Sequence, residues 1–112
     1  MGIEEGHDCR VILITTPSQE EAEVIARSLV QEGLAACVNL LPTVRSFYTW
    51  EGRLETSQEC LMIVKGRAST FEQLARRVKE MHSYEVPEII SMVVDRGDTD
   101  YLSWIRQVTR SI

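Results

Sequence analysis

Seven side chains in this sequence could hold a ligand or move a proton: Cys37, Asn39, Trp50, Lys65, His82, Tyr84 and Glu88. They emerge by elimination. Gly66 and Gly97 stand alone, so no glycine-rich loop cradles a phosphate, and no His-Glu-x-x-His pair, calcium loop or Gly-x-Ser-x-Gly elbow occurs. Two histidines and three scattered cysteines do not make a dedicated four-ligand zinc site. Cys37 and His82 remain as a thiol and an imidazole, a donor pair that favours copper over magnesium or calcium. Each also has a structural reading, Cys37 as a small buried hydrophobe and His82 as a residue favoured at a helix C-terminus by the macrodipole. Glu88 heads an apolar strand and needs a partner. Lys65, ending another apolar strand, is the candidate, giving a structural ion pair or the polar centre of a cleft. No ordered nucleophile and base stand out, so the chain does not read as an enzyme.

The elements that must position these residues follow from the hydropathy pattern. Residues 9–16 form a β-branched run stopped by Pro17, expected as a central strand buried on both faces. Ser18 and Glu21 form a capping box opening a helix of about 14 residues, with Ala22, Ile25, Ala26, Leu29 and Val30 as its stripe and Gly33 as its left-handed cap. Residues 35–50 and 53–65 read as a long bent hairpin. Glu51-Gly52 is its turn, Pro42 marks a bulge or an edge, and Leu54, Cys60, Met62 and Val64 point inward. Phe47, Tyr48 and Trp50 near the tip are expected as oligomer contacts. Ser69 with Glu72, or Thr70 with Gln73, opens a second helix carrying Phe71, Leu74, Ala75, Val78 and Met81, which closes near residues 82–84. Residues 89–94 are another buried strand, and Asp98 caps a terminal helix carrying Tyr101, Leu102, Ile105 and Val108. Tyr101 and Trp104 are expected to pack that helix onto the body, with Cys9 and Cys60 as core.

This order, with right-handed crossovers, is an α+β ferredoxin-like β-α-β-β-α-β plan with a long bent central hairpin and an extra C-terminal helix. It sets Cys37 at the head of the second strand, His82 at the end of the second helix and Glu88 just before the fourth strand. Two helices cover one sheet face, so the other must meet a second subunit or the terminal helix. Residues 1–8 are polar and expected as a flexible N-terminus, with 9–112 as a single domain.

Composition narrows the partners. With 12 Lys plus Arg against 17 Asp plus Glu, the net charge of −5 repels a phosphate backbone, which excludes nucleic acid as a first reading. No apolar run approaches the roughly 18 residues of a membrane helix, and the acidic N-terminus lacks the features of a secretory signal, so a cytoplasmic protein without membrane contact is expected. An odd number of isolated cysteines reads as reduced thiols.

Several longer motifs carry a resemblance: Gly33-Leu34-Ala35-Ala36-Cys37-Val38-Asn39, Tyr48-x-Trp50-x-Gly52, Glu59, Lys65, His82-x-Tyr84-Glu85-Val86-Pro87-Glu88-Ile89 and Tyr101-x-x-Trp104. From about residue 10 to 108 the chain resembles the divalent-cation tolerance protein family (CutA). The resemblance implies a tight homotrimer linked to copper and other divalent cations, with extended hairpins packing between neighbours. It implies metal at Cys37 and His82, and an intersubunit cleft lined by Lys65, Tyr84 and Glu88 with Asn39 and Trp50. Ser83 stands where the family usually has proline, and Gly66 where Thr or Ser is usual; the lost proline is expected to loosen the loop after His82. The alternative is a trimeric regulatory or signalling module taking a small ligand or partner protein in that cleft.

Overall fold

The computed structural model describes residues 2–110. Met1, Ser111 and Ile112, the outer ends of the expected segments 1–8 and 9–112, lie outside the described residues. The elements in chain order are β1 (Ile3–Glu5), β2 (Cys9–Thr16), α1 (Gln19–Gln31), β3 (Cys37–Trp50), β4 (Arg53–Arg67), α2 (Ala68–Met81), β5 (Ile89–Val93), β6 (Arg96–Asp98) and α3 (Thr99–Val108). The main sheet is antiparallel in the order β3-β4-β2-β5, which is the ferredoxin-like arrangement.

Local chemistry sets the boundaries of these elements. Ser18 accepts the Glu21 N–H and starts α1; Gly33, at φ 74°, ends it, with Gly33 N–H on Val30 O and Leu34 N–H on Leu29 O closing a Schellman cap. Glu51 (φ 52°) and Gly52 (φ 78°) are both left-handed, the type I′ geometry whose twist matches the two arms. The register shifts between Leu41 and Val44, so Pro42 falls in a bulge on an edge strand, as expected. Asp98 accepts the Tyr101 N–H and caps α3. α2 departs from its expected capping box: it starts at Ala68 after Arg67, and the Thr70 hydroxyl reaches outside the helix to Leu34 O at 3.1 Å.

The core lies between the sheet and the α1/α2 layer. Ile12, Ile14, Met62 and Val64 meet Ala22, Ile25, Leu29, Leu74 and Val78, all buried. The strands expected to be buried on both faces instead alternate. Val11, Leu13 and Thr15 are half-buried, and Ile90 and Met92 are 51% and 44% exposed, because no element among the described residues covers that part of the sheet. α3 takes only the Cys9 end, where Leu102 and Ile105 cluster with Cys9 and Ala36. Leu54, expected inward, is 75% exposed since the hairpin tip runs past both helices. Tyr101 and Trp104 stay partly exposed and lean on each other, ring centroids 5.5 Å apart, rather than sinking into the body. The segment expected to be flexible also differs: Ile3–Glu5 pairs antiparallel with Arg96–Asp98 as a separate two-stranded sheet. Backbone pairing there does not require apolar side chains.

Candidate functional site

Strand parity sorts the expected site residues into two groups. On β4, Glu59, Leu61, Ile63 and Lys65 alternate with the buried Cys60, Met62 and Val64, and so face the side away from α1 and α2. Six residues of strand put Glu59 and Lys65 about 20 Å apart at opposite ends of that face.

At one end, Lys65 lies directly across from Cys37, and its Nζ donates to Asn39 Oδ1. The Cys37 Sγ sits 3.8 Å from the same oxygen. Cys37 is half-buried, whereas Cys9 and Cys60 are fully enclosed, and burial pushes both of those thiols up. Tyr101 of α3 reaches Cys37; burial and then the neighbouring thiol raise its phenol.

At the other end, the hairpin and the 83–88 loop enclose an open groove of about 1200 Å³ lined by Phe47, Tyr48, Trp50, Tyr84 and the carboxylates Glu51, Glu55, Glu59, Glu85 and Glu88. Among the described residues no Lys or Arg lines it. Glu59 is only 8% exposed, and the Tyr84 hydroxyl donates to it at 2.7 Å. Burial first, then that bond, holds the Tyr84 phenol protonated well above its ordinary value. Glu88 is half-buried; its own burial and then the Glu59 charge push its carboxyl above the usual range. Two carboxylates thus share a poorly solvated corner without a counter-charge.

His82 stands behind this groove with its side chain fully enclosed. Its Nε2 is 2.7 Å from the Thr15 carbonyl oxygen, which can only accept, so Nε2 carries the proton. Nδ1 then accepts the Tyr84 N–H at 3.0 Å. Glu21 Oε2 also lies 3.4 Å from Nδ1, but it takes the Ser83 N–H at 2.9 Å. Nε2 thus ties the 82–84 loop to β2 and Nδ1 ties it to itself, while Glu21 of α1 holds it through the Ser83 N–H. The Ser83 N–H that goes to Glu21 is one that a proline there would lack.

The expected constellation is thus divided. Cys37, Asn39 and Lys65 share one end; Trp50, Tyr84 and Glu88 line the groove; His82 supports the groove from behind. The structure corrects the Lys65–Glu88 pair. Glu88 precedes Ile89, opposite Ile14, whereas Lys65 lies opposite Val11, several residues of strand away. It also separates Cys37 from His82 within the protomer: the β4 residues opposite Cys37 and Thr15 are Lys65 and Leu61, about 13 Å apart. Among the described residues no three His, Cys, Asp or Glu side chains converge as a ligand set. Glu59 is the residue that sequence reasoning left without a role. Its signal was parity, a carboxylate in line with Leu61 and Ile63 on an otherwise apolar face.

Fold and site together define a ferredoxin-like protein with one open sheet face and an acidic, aromatic groove at the foot of a projecting hairpin. The chain belongs to the CutA1 divalent ion tolerance protein family, whose model matches residues 10–108. It is similar to the divalent-cation tolerance protein CutA of Thermus thermophilus, 46% identical over 99 residues that cover 88% of this chain and 96% of that protein. The solved structure from that organism superposes with a TM-score of 0.90 at 45% identity, covering 91% of this chain and 99% of that one. A structure described as the periplasmic divalent cation tolerance protein CutA of Archaeoglobus fulgidus gives 0.88 at 43% identity, covering 91% and 99%. The chloroplastic protein CutA of Arabidopsis thaliana is 42% identical over 101 residues, 90% of this chain but 56% of that protein. Among the described residues no helix is long and apolar enough to cross a membrane.

Proposed function

We infer that the protein serves divalent-cation tolerance by binding copper and other divalent cations as a cytoplasmic homotrimer, without a catalytic reaction of its own. The observation that carries this reading is the Glu59–Glu88 corner: two carboxylates, one almost wholly buried, in a groove lined by no cationic side chain. A buried anion calls for a cation. Oxygen donors of this kind suit borderline and hard divalent ions, while the half-buried Cys37 thiol is the soft donor suited to Cu(I). His82 fits poorly as a ligand, since neither nitrogen has a free lone pair.

Self-association is supported by the open face. Val11, Leu13, Leu61, Ile63, Ile90 and Met92 form an apolar surface that the chain leaves uncovered, and the hairpin stretches the protomer to 49 Å along one axis. A neighbouring copy would also supply the ligands that two carboxylates lack. Lys65 favours the second reading, in which an intersubunit cleft takes a small anionic ligand or partner protein: it is a half-buried cation whose hydrogen bond goes to a neutral amide oxygen.

The test is competition titration of Cu(II), and of Cu(I) without oxygen, on wild type, C37A and the double variant E59Q/E88Q, with sedimentation at fixed protomer concentration. Cu(II) affinity should fall at least about tenfold in E59Q/E88Q, and Cu(I) affinity by a similar factor in C37A, with a trimer retained throughout. Binding of both ions unchanged in trimeric variants would overturn the metal reading. An anion that binds only while Lys65 is present would favour the second.

A further inference from the structure

The family model begins at residue 10, yet residues 2–8 are hydrogen-bonded into the fold. β1 pairs with β6 through Ile3, Glu4 and Glu5. Backbone bonds extend the pairing at both ends: Thr99 N–H donates to Gly2 O at 2.7 Å, Gly6 N–H to Asp95 O at 3.0 Å and Ala68 N–H to Asp8 O at 2.8 Å. The segment therefore bridges the start of α3, the β6 strand and the junction of β4 with α2.

A side-chain clasp adds to this. Arg106, on α3, grips Asp8 with two parallel bonds, Nε at 2.8 Å and Nη2 at 3.0 Å, and sends Nη1 to Glu4 at 2.9 Å. Such a bidentate pair is the strong form of a surface ion pair. Beneath the clasp, Leu102 is seated between two glycines. A Cβ at Gly6 or at Gly97 would come within 3.1 Å of it, so a larger residue at either place would push Leu102 by a few tenths of an ångström. What α3 covers is the Cys9 end of the open sheet face, with Leu102 and Ile105 over Cys9 and Tyr101 beside Cys37.

We propose that residues 2–8 are a strap that holds α3 down on the open sheet face, and that its release lifts α3 and uncovers the Cys9 thiol and the Cys37–Lys65 end. α3 has two buried apolar residues, Leu102 and Ile105. It is thus a thin lid, held at its start by the strap's backbone pairing and along its length by the Arg106 clasp, with its far end tied by Arg67 Nη1 on Arg106 O at 2.9 Å and Arg110 N–H on Gly33 O at 2.7 Å. Opening is local, because the main core between the sheet and α1/α2 shares none of these residues. The strap thereby sets how much apolar face, and which thiols, the protein presents.

Cys9 and Cys60 make a matched pair of reporters. Both are enclosed, but Cys9 lies under α3 and Cys60 under α1 and α2. Labelling by an aromatic disulfide reagent, read site by site by mass spectrometry, should be at least about tenfold faster at Cys9 in R106Q and in a chain lacking residues 2–5, with Cys60 unchanged. Amide exchange over residues 99–108 should accelerate in parallel. If the truncated chain proves too unstable to fold, R106Q alone decides. Wild-type labelling at Cys9 and wild-type exchange in α3 would overturn the strap. Equal acceleration at Cys9 and Cys60 would overturn it too, since that is loosening of the whole fold.

Discussion

Replacing Tyr84 by Phe removes one oxygen and tests the acidic corner directly. The ring stays in its place 4.9 Å from the His82 ring, so packing is conserved, but Glu59 loses the donor that reaches it at 2.7 Å. Glu59 is 8% exposed, which leaves little water to replace that donor. Stripping a hydrogen bond from a buried charged acceptor costs roughly 1.5–3 kcal/mol, and the geometry here argues for about 2. In a chain of this size that is a fall in Tm of about 8 °C. The assay is urea unfolding at fixed protomer concentration, which holds constant any contribution of the proposed self-association to apparent stability. The slope of the transition should be unchanged. The decisive comparison is E59Q against E59Q/Y84F: with the charge gone, the second change should cost within about 0.5 kcal/mol of nothing, leaving a coupling of about 1.5 kcal/mol. A loss below about 0.5 kcal/mol in Y84F, or an equal loss with and without Glu59, would refute the view that Tyr84 holds a buried carboxylate.

Gly33→Ala should cost about 1–2 kcal/mol, since φ 74° is left-handed while the new Cβ would meet nothing closer than 3.7 Å; the cost is conformational, and Gly33→Asn should recover part of it. Wild-type unfolding of Gly33→Ala would show that the cap is not what ends α1. Glu88 gives a pH dependence of known sign. Its folded carboxyl is raised above 4.5 by burial and then by Glu59, so the folded chain holds its proton longer than the unfolded one, and stability falls as pH rises through that window. Stability measured from about pH 4 to 7 should therefore decline more steeply in wild type than in E88Q; parallel curves would refute the shift. Asp8 has the opposite sign. The Arg106 bond lowers its carboxyl below 3.8, so its contribution is complete above that value and fades as pH falls through the lowered one.

The parts of the fold written in local chemistry were legible. Ser18, Gly33, Glu51-Gly52, Pro42 and Asp98 each act within a few residues of themselves, and each appears where its type demands. The elements that failed depend on partners far along the chain. Thr70 has the side chain of a helix cap, but its hydroxyl is drawn to Leu34 O, 36 residues away, by the α1–β3 connection. β1 has no apolar pattern because its stability comes from main-chain bonds to β6 and from Arg106, 102 residues beyond Glu4. The candidate site divides in the same way. Donor identities could be read from residue types, and Lys65 and Cys37 were rightly set at strand ends. The partner of each required the register: one strand position decides that Lys65 meets Cys37 and Asn39 while Glu88 meets the field of Glu59.

The same distinction governs what the family resemblance can carry to this chain. A histidine is a metal ligand only through an unprotonated nitrogen whose lone pair is open. At His82 the Thr15 carbonyl fixes the proton on Nε2, and the Tyr84 N–H then occupies Nδ1, so the imidazole is used up in shaping the 82–84 loop. That loop in turn carries the Tyr84 hydroxyl that holds Glu59. Substituting His82 would therefore disturb the acidic corner whether or not the imidazole ever touches a metal, and a loss of binding in such a variant would not identify a ligand. Cys37 is the cleaner probe, because its thiol is half-buried and its contact with Asn39 Oδ1, at 3.8 Å, is a weak one. Soft and hard donors thus occupy opposite ends of one open face, and the proposed reading predicts that Cu(I) answers to Cys37 and Cu(II) to the Glu59–Glu88 corner.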